Sequence, residues 1–254
     1  MMSKRHKTSL LAGAAVLALL AMGTVFTVRQ QAVEAPRAAA APTQTPLVQP
    51  PRPMPLRLAD FGAEVPSDDA RQVANWSLAT GDHKKMSIVI VDKAQARVYV
   101  FRPDGSLSGA APALLGLARG DHTVPGIGDR PLSQVKPEER TTPAGRFIAE
   151  MGVNTGGEDV VWVDYEAAVS MHRVRATVAK ERRLERLASA TADDNRISYG
   201  CINLPVRFYE GVLSPAVRQG GAVIYVLPET RTVHEVFGSV DGPRTVAAAA
   251  SPGR

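Results

Sequence analysis

From Met86 to Pro228 the sequence is a succession of short β-branched or aromatic runs separated by turn residues. That spacing points to a β-sandwich or barrel and away from a parallel α/β sheet. Ser87-Ile88-Val89-Ile90-Val91 and Arg97-Val98-Tyr99-Val100-Phe101 read as the arms of a hairpin joined through Asp92-Lys93-Ala94-Gln95. Pro103-Asp104-Gly105 marks the next turn, because proline fixes φ and glycine accepts positive φ. A third strand is expected near residues 113–117, and further strands at 145–151, 159–163, 167–172 and 222–227. The fold class is therefore mainly β.

Two long segments interrupt this pattern, and long ordered loops in compact domains often carry function. Residues 119–141 hold three glycines and three prolines at spacings that fit no strand, and read as a flap. Residues 173–196 contain a charged stretch, 177–187, which reads as a helix with Val178, Leu184 and Leu187 free to dock. Its arginines fit a solvated face, or else Arg182, Arg183 or Arg186 pairs with a substrate carboxylate.

The N-terminal part is organised differently. Lys4, Arg5 and Lys7 precede an uncharged, mostly apolar run from Ser9 to Val28, so residues 1–28 read as an export signal peptide or a retained membrane anchor. The positive flank keeps that end in the cytoplasm and sends the rest outside. Residues 29–56, rich in Pro and Ala, read as an extended linker. Residues 57–85 form an N-terminal helical extension, with Ser67 as the cap and Gly81 as the stop. Residues 86–228 form the main domain, and 229–254 read as a flexible tail. Of the net charge of +5, three basic groups fall in the export segment, so no nucleic-acid partner is expected.

Within this frame Cys201 is the only cysteine. A lone thiol cannot close an intramolecular disulfide, so an exported chain keeps it for another reason, either as a small buried hydrophobe or as a reactive group. A nucleophilic thiol needs a base, since its free pKa of about 8.5 leaves it mostly protonated at neutral pH. Of the five histidines, His6 lies in the export segment, His83 precedes the first strand, and His234 lies in the tail. His122 in the flap stays open as a base, and His172, at the end of an expected strand, is the better placed. The histidines are scattered with no metal-ligand spacing, so neither a metal nor another cofactor is expected.

Thr142-Pro143-Ala144-Gly145-Arg146-Phe147, then His172, then Ser198-Tyr199-Gly200-Cys201-Ile202-Asn203, in that order on a strand-rich chain, resembles the L,D-transpeptidase catalytic domain. This is the YkuD or ErfK/YbiS/YcfS/YnhG family, and the resemblance covers about residues 86–228. It implies a β-sandwich of the L,D-transpeptidase type, to which the residues of this chain add a short N-terminal helix and a helical insertion before the cysteine. It also implies an enzyme that acts on peptidoglycan stem peptides through a cysteine thioester; with the export segment, the expectation is a monomer in the periplasm or tethered to the inner membrane. Carried over residue by residue, Cys201 would be the nucleophile and His172 the base, its second ring nitrogen held by the Arg173 carbonyl. Main-chain N–H groups of Cys201 and of Gly200 or Tyr199 would bind the oxyanion. Ser198, Tyr199, Asn203 and Arg173 would line or support the substrate site.

The chain departs from the family pattern in three ways. Tyr199 stands where a histidine usually precedes the glycine, Arg173 follows the base, and the segments before Thr142 and before Cys201 are expanded. An L,D-carboxypeptidase or crosslink amidase sharing the acyl-enzyme, or a peptidoglycan-binding protein with a degenerate site, are the alternatives.

Overall fold

Strand β1 (Ser87–Asp92) is buried along its whole length, and a strand buried on both faces must be apolar on both. It pairs antiparallel with β2 (Arg97–Phe101), Ile88 facing Phe101 and Asp92 facing Arg97, and parallel with β11 (Ala222–Val226). With β3 (Leu107–Pro112) and β5 (Gly145–Ile148) these make a five-stranded sheet in the order β3-β2-β1-β11-β5. A four-stranded sheet has the order β10-β8-β7-β6, from β6 (Glu150–Val153), β7 (Asp159–Asp164), β8 (Val169–Arg173) and β10 (Ile202–Leu204). A two-stranded sheet joins β4 (Leu115–Gly116) to β9 (Arg196–Ser198). The chain is thus mainly β, with several sheets and few helices; the computed structural model describes residues 57–240.

One apolar cluster draws Val89 and Val91 from β1, Ile224 from β11, Val161 from β7, Met171 from β8, and Ile202 and Leu204 from β10. The opposite face of β1 and β11 presents Ile88, Ile90, Val223 and Tyr225 to a second cluster that includes Ala70, Val73 and Ala74. Those three lie on α1 (Asp68–Thr80), capped by Ser67 Oγ, which accepts from the Ala70 N–H at 3.1 Å, and closed by Gly81 at φ 70. Burying one valine on either face stabilises the fold by about 1.5–3 kcal/mol.

Several expectations are corrected. The third strand is at Leu107–Pro112, where Ser108, Gly109, Ala110 and Ala111 carry no β-branched signal. An edge strand tolerates this run, including its terminal proline. Residues 113–117 instead leave that sheet. Leu114 exchanges backbone hydrogen bonds of 2.9 Å with Asn203, and β4 pairs parallel with β9. The run at 145–151 divides at Ala149 into β5 and β6, which belong to different sheets.

The stretch 177–187 is not one helix. A 3-10 turn at Ala179–Glu181 stops at Arg182, whose φ of 51 is left-handed, before α2 (Arg183–Ala188) begins. After β10 the chain winds through α3 (Val206–Phe208), a π-helical turn at Tyr209–Leu213 and α4 (Ser214–Gly220), adding Tyr209, Leu213 and Val217 to the first cluster. Pro215 has no N–H to give the preceding turn.

The part of the expected tail that is described is structured. Backbone N–H groups of Glu229, Thr230 and Arg231 donate to Asp121, and α5 (Val233–Phe237) starts on a Thr232–Glu235 capping box. That Thr-x-x-Glu spacing is visible in the sequence. Residues 1–56, read as export segment and linker, and 241–254 of the tail lie outside the described residues. Among the described residues no helix is long and apolar enough to cross a membrane.

Candidate active site

Strand β10 lies parallel to β8 with Ile202 opposite Met171 and Asn203 opposite His172. Side chains alternate across a strand, so Met171 and Ile202 enter the core while Ser170 and His172 share the other face. Cys201 immediately precedes β10, so the pairing brings its sulfur beside Ser170 and His172, distant in sequence as they are. Cys201 Sγ lies 3.8 Å from Ser170 Oγ and 3.5 Å from the Ala168 carbonyl, and the cysteine is partly exposed.

His172 Nδ1 is 2.8 Å from the Arg173 carbonyl. A carbonyl only accepts, so Nδ1 carries the proton and Nε2 is the nitrogen free to deal with the thiol. Burial works against a charged imidazole, but the Cys201 sulfur and the Arg173 carbonyl outweigh it and hold His172 above its ordinary value. Burial likewise pushes the Cys201 thiol up, and His172, with smaller help from Ser170, outweighs that and holds it below its ordinary value. The two shifts describe one pair leaning toward thiolate and imidazolium.

The loop before the cysteine is tied by its own polar groups. Ser198 Oγ donates to the Cys201 carbonyl at 2.6 Å and accepts from the Gly200 N–H at 3.1 Å. Gly200 therefore spends the N–H expected for an oxyanion on Ser198, leaving those of Cys201 and Tyr199 for that purpose. Its φ of 130, and a Thr141 carbonyl only 2.8 Å from where a Cβ would sit, make glycine the residue that fits. Asn203 is buried, with Nδ2 3.2 Å from the Cys201 carbonyl and Oδ1 accepting from Arg183 Nη1 at 2.6 Å.

The four residues expected to line or support the substrate site therefore separate. Ser198 and Asn203 hold the loop from within. Arg173 turns its guanidinium to Asp159 and Glu210, at 2.8 Å each, and stacks on Tyr209, so its contribution to the site is its carbonyl. Tyr199 alone is open, 39% exposed, with the Arg140 guanidinium 3.9 Å above its ring. Arg182 pairs with Glu185, Arg183 with Glu181 and Asn203, and Arg186 with backbone carbonyls, so each of these arginines is engaged within the protein. His122 offers its ring to Arg231 at 3.4 Å, and His83 is buried against the Ser77 carbonyl.

Two residues at the site were not singled out from the sequence for any role there. Ser170 was legible in principle, since it stands two before His172 on a strand. Thr142 was quoted only as part of a motif. It is fully buried, accepts from the Gly116 N–H at 2.9 Å and donates to the Gly200 carbonyl at 2.8 Å.

Beyond Ala168 opens a groove of about 630 Å³ between the flap and β7, walled by Gly128, Asp129, Thr155, Trp162, Tyr165 and Glu166. Trp162 and Tyr165 meet edge to face at 5.0 Å. Ala168 lines this groove, and its carbonyl is also the one 3.5 Å from Cys201 Sγ. Among the described residues no group of three or more His, Cys, Asp or Glu side chains is placed to hold a metal ion.

No family model matches the sequence, and no curated protein matches it. Among solved structures, the chain is similar to the helical cell shape determining protein Pgp2 from Campylobacter jejuni at 16% identity. That match covers 63% of this chain and 57% of the other, at a TM-score of 0.38. It is similar to the catalytic domain of the E. faecium L,D-transpeptidase at 15% identity, covering 56% and 98%, at a TM-score of 0.34. For the L,D-transpeptidase from Mycobacterium smegmatis the figures are 18% identity, 55% and 58% coverage, and a TM-score of 0.32. The chain spans less than two thirds of the length of the first and third of these. At such identities and TM-scores the likenesses establish neither a shared activity nor shared residues.

Proposed function

We propose that the chain is a peptidoglycan L,D-transpeptidase with Cys201 as nucleophile and His172 as its base, in a sandwich fold of that family's type. The observation that carries this reading is the β8–β10 pairing, which brings together a thiol held below its ordinary pKa and an imidazole whose Nδ1 is pinned to a carbonyl. The motif order around Thr142, His172 and Cys201 supports the substrate class.

In this mechanism the thiol proton passes to His172 Nε2 and the thiolate attacks the amide carbonyl between the L-centre of a stem-peptide diamino acid and the terminal D-Ala. The developing oxyanion takes hydrogen bonds from main-chain N–H groups of Cys201 and Tyr199. The C–N bond then breaks, His172 returns the proton to the departing amine, and D-Ala leaves a thioester on Cys201. The amine of a second stem attacks that thioester, His172 removes a proton from it, and the C–S bond breaks to give the new amide and the free thiol. The groove beside Ala168 is where a stem peptide would lie, its apolar atoms on Trp162 and Tyr165 and an amine facing Asp129 and Glu166. The site would work outside the cytoplasmic membrane, with residues 29–56 as the spacer from an anchor or cleaved signal.

Intact-mass measurement after incubation with a carbapenem tests this directly. One adduct is expected, lost in Cys201→Ala and slowed by about 10²–10⁴-fold in His172→Ala, the range for removing a general base. Absence of an adduct on a folded protein that still binds purified sacculi would replace the proposal with a binding role. Release of D-Ala without new crosslinks in muropeptide digests would make the enzyme a hydrolase.

A further inference from the structure

One buried ammonium is bound on three sides by the segments that frame the site. Lys93 follows β1, is fully buried, and spends its three protons on the Gly120 carbonyl at 2.6 Å, Asp121 Oδ1 at 2.8 Å and the Thr142 carbonyl at 2.9 Å. Gly120 and Asp121 stand at the start of the flap and Thr142 just past its end, so a single charge cinches both ends. Glu229 Oε1 lies 3.5 Å from the same nitrogen. Arg196, on β9, pairs with Glu229 and donates to the Lys93 carbonyl at 2.7 Å. Two cations and two anions therefore close a buried cluster that the chemistry at Cys201 does not touch.

The link from that cluster to the sulfur is Thr142. Its carbonyl is held by Lys93, and its hydroxyl donates to the Gly200 carbonyl at 2.8 Å. A trans peptide is planar, with C=O and the following N–H pointing opposite ways. Fixing the Gly200 carbonyl therefore fixes the direction of the Cys201 N–H. Gly200, at φ 130 and without a Cβ, would not hold that plane unaided.

We propose that Lys93 is a positioning residue that acts through Thr142 to aim the Cys201 N–H at the oxyanion of an acyl-transfer step. The inference rests on Cys201 being a nucleophile, and not on the identity of its substrate.

Two reagents separate this role from general disorder of the loop. p-Nitrophenyl acetate acylates the thiol through a tetrahedral oxyanion: the C–S bond forms, the ester C–O bond breaks and nitrophenolate leaves. Iodoacetamide alkylates the same sulfur by displacing iodide, with no oxyanion to stabilise. In the full chain, Thr142→Val is expected to slow acylation about 10- to 100-fold, toward the loss seen when an oxyanion donor is removed. Its alkylation rate should stay within about twofold of wild type, and Thr142→Ser, which keeps the hydroxyl, should restore acylation to within about threefold. Lys93→Met should follow Thr142→Val where its near-UV circular dichroism shows a native fold; should it fail to fold, Lys93→Arg, which keeps the charge but cannot aim a planar fork at all three acceptors, should show the same selective loss of acylation. Equal loss with both reagents, or no loss of acylation, overturns the proposal. Because neither reagent is a cell-wall substrate, these outcomes stand whether or not a carbapenem acylates the wild type.

Discussion

The Lys93 cluster, which is buried, and the Cys201–His172 pair, which is partly exposed, solve the same problem of placing charge in opposite ways. At Lys93 every proton has an acceptor, and Asp121 takes hydrogen bonds from Lys93, Thr230 and three backbone N–H groups. At Cys201 the pair is left incomplete on one side: His172 Nδ1 is satisfied, while the sulfur has weak contacts and a path to solvent. A saturated network fixes backbone; an unsaturated one stores reactivity. The two centres differ in completeness more than in charge, and substitutions should divide them accordingly.

The largest separation is expected from removing one partner in each. His172→Ala should cost about 10²–10⁴ in acylation rate while moving the urea midpoint little, because the thiol it leaves behind can simply stay protonated. Lys93→Met should do the reverse in stability, losing about 3–5 kcal/mol in urea titration because Asp121 is left buried without its cation, while Glu229 keeps Arg196. A Lys93→Met protein as stable as wild type would mean that water reaches the cluster, and the contrast would fail.

Legibility followed the same division. The hairpin at 87–101, the helix at 68–80 and the strand at 222–226 were readable because apolar periodicity and cap residues are local signals. The β8–β10 pairing was not, although its outcome was anticipated by the order of His172 and Cys201, because a parallel register depends on what covers the sheet. Lys93 was read as a hairpin turn residue, Asp121 as part of a flap and Glu229 as tail. Nothing in a single sequence says that three polar residues from separate loops converge in one buried cluster. The third strand was missed for a related reason: Gly109 packs against Val212, and a glycine chosen for close approach looks like a turn when its neighbour is unknown.

pH sharpens the comparison at intermediate size. The Cys201 thiol is held below its ordinary value, so iodoacetamide rates should climb at a pH below the free-thiol value of about 8.5. His172→Ala removes the largest opposing effect to burial, so the climb should move upward in pH. At the other centre, burial pushes the Asp121 carboxyl up, and Lys93 and Thr230 more than offset it, holding it well below the usual carboxylate range. A carboxyl depressed in the folded state contributes stability that is present above its unfolded value of about 3.9 and lost as pH falls through the folded one. Acid titration of stability should therefore steepen below about pH 4 and flatten in Asp121→Asn. A variant with an unchanged acid limb would show that other carboxylates set it.

The smallest expected effect falls on the one side chain of the cysteine loop that belongs to neither centre. Tyr199 stands where the family pattern most often has histidine, yet its ring is stacked under Arg140, whose Nε and Nη2 are held by the Val135 carbonyl at 3.3 and 3.1 Å. A stacked cation at a partly exposed site is worth about 0.5–1 kcal/mol. Tyr199→Phe keeps the ring and should leave carbapenem acylation within about twofold, whereas Tyr199→Ala, which releases Arg140 from its platform, should cost about two- to fivefold, the rate equivalent of that energy. A loss in Tyr199→Phe as large as in Tyr199→Ala would assign the effect to the phenol. The hydroxyl would then act on bound substrate, and the outward side of the loop would have to be counted with the reactive centre instead of its frame.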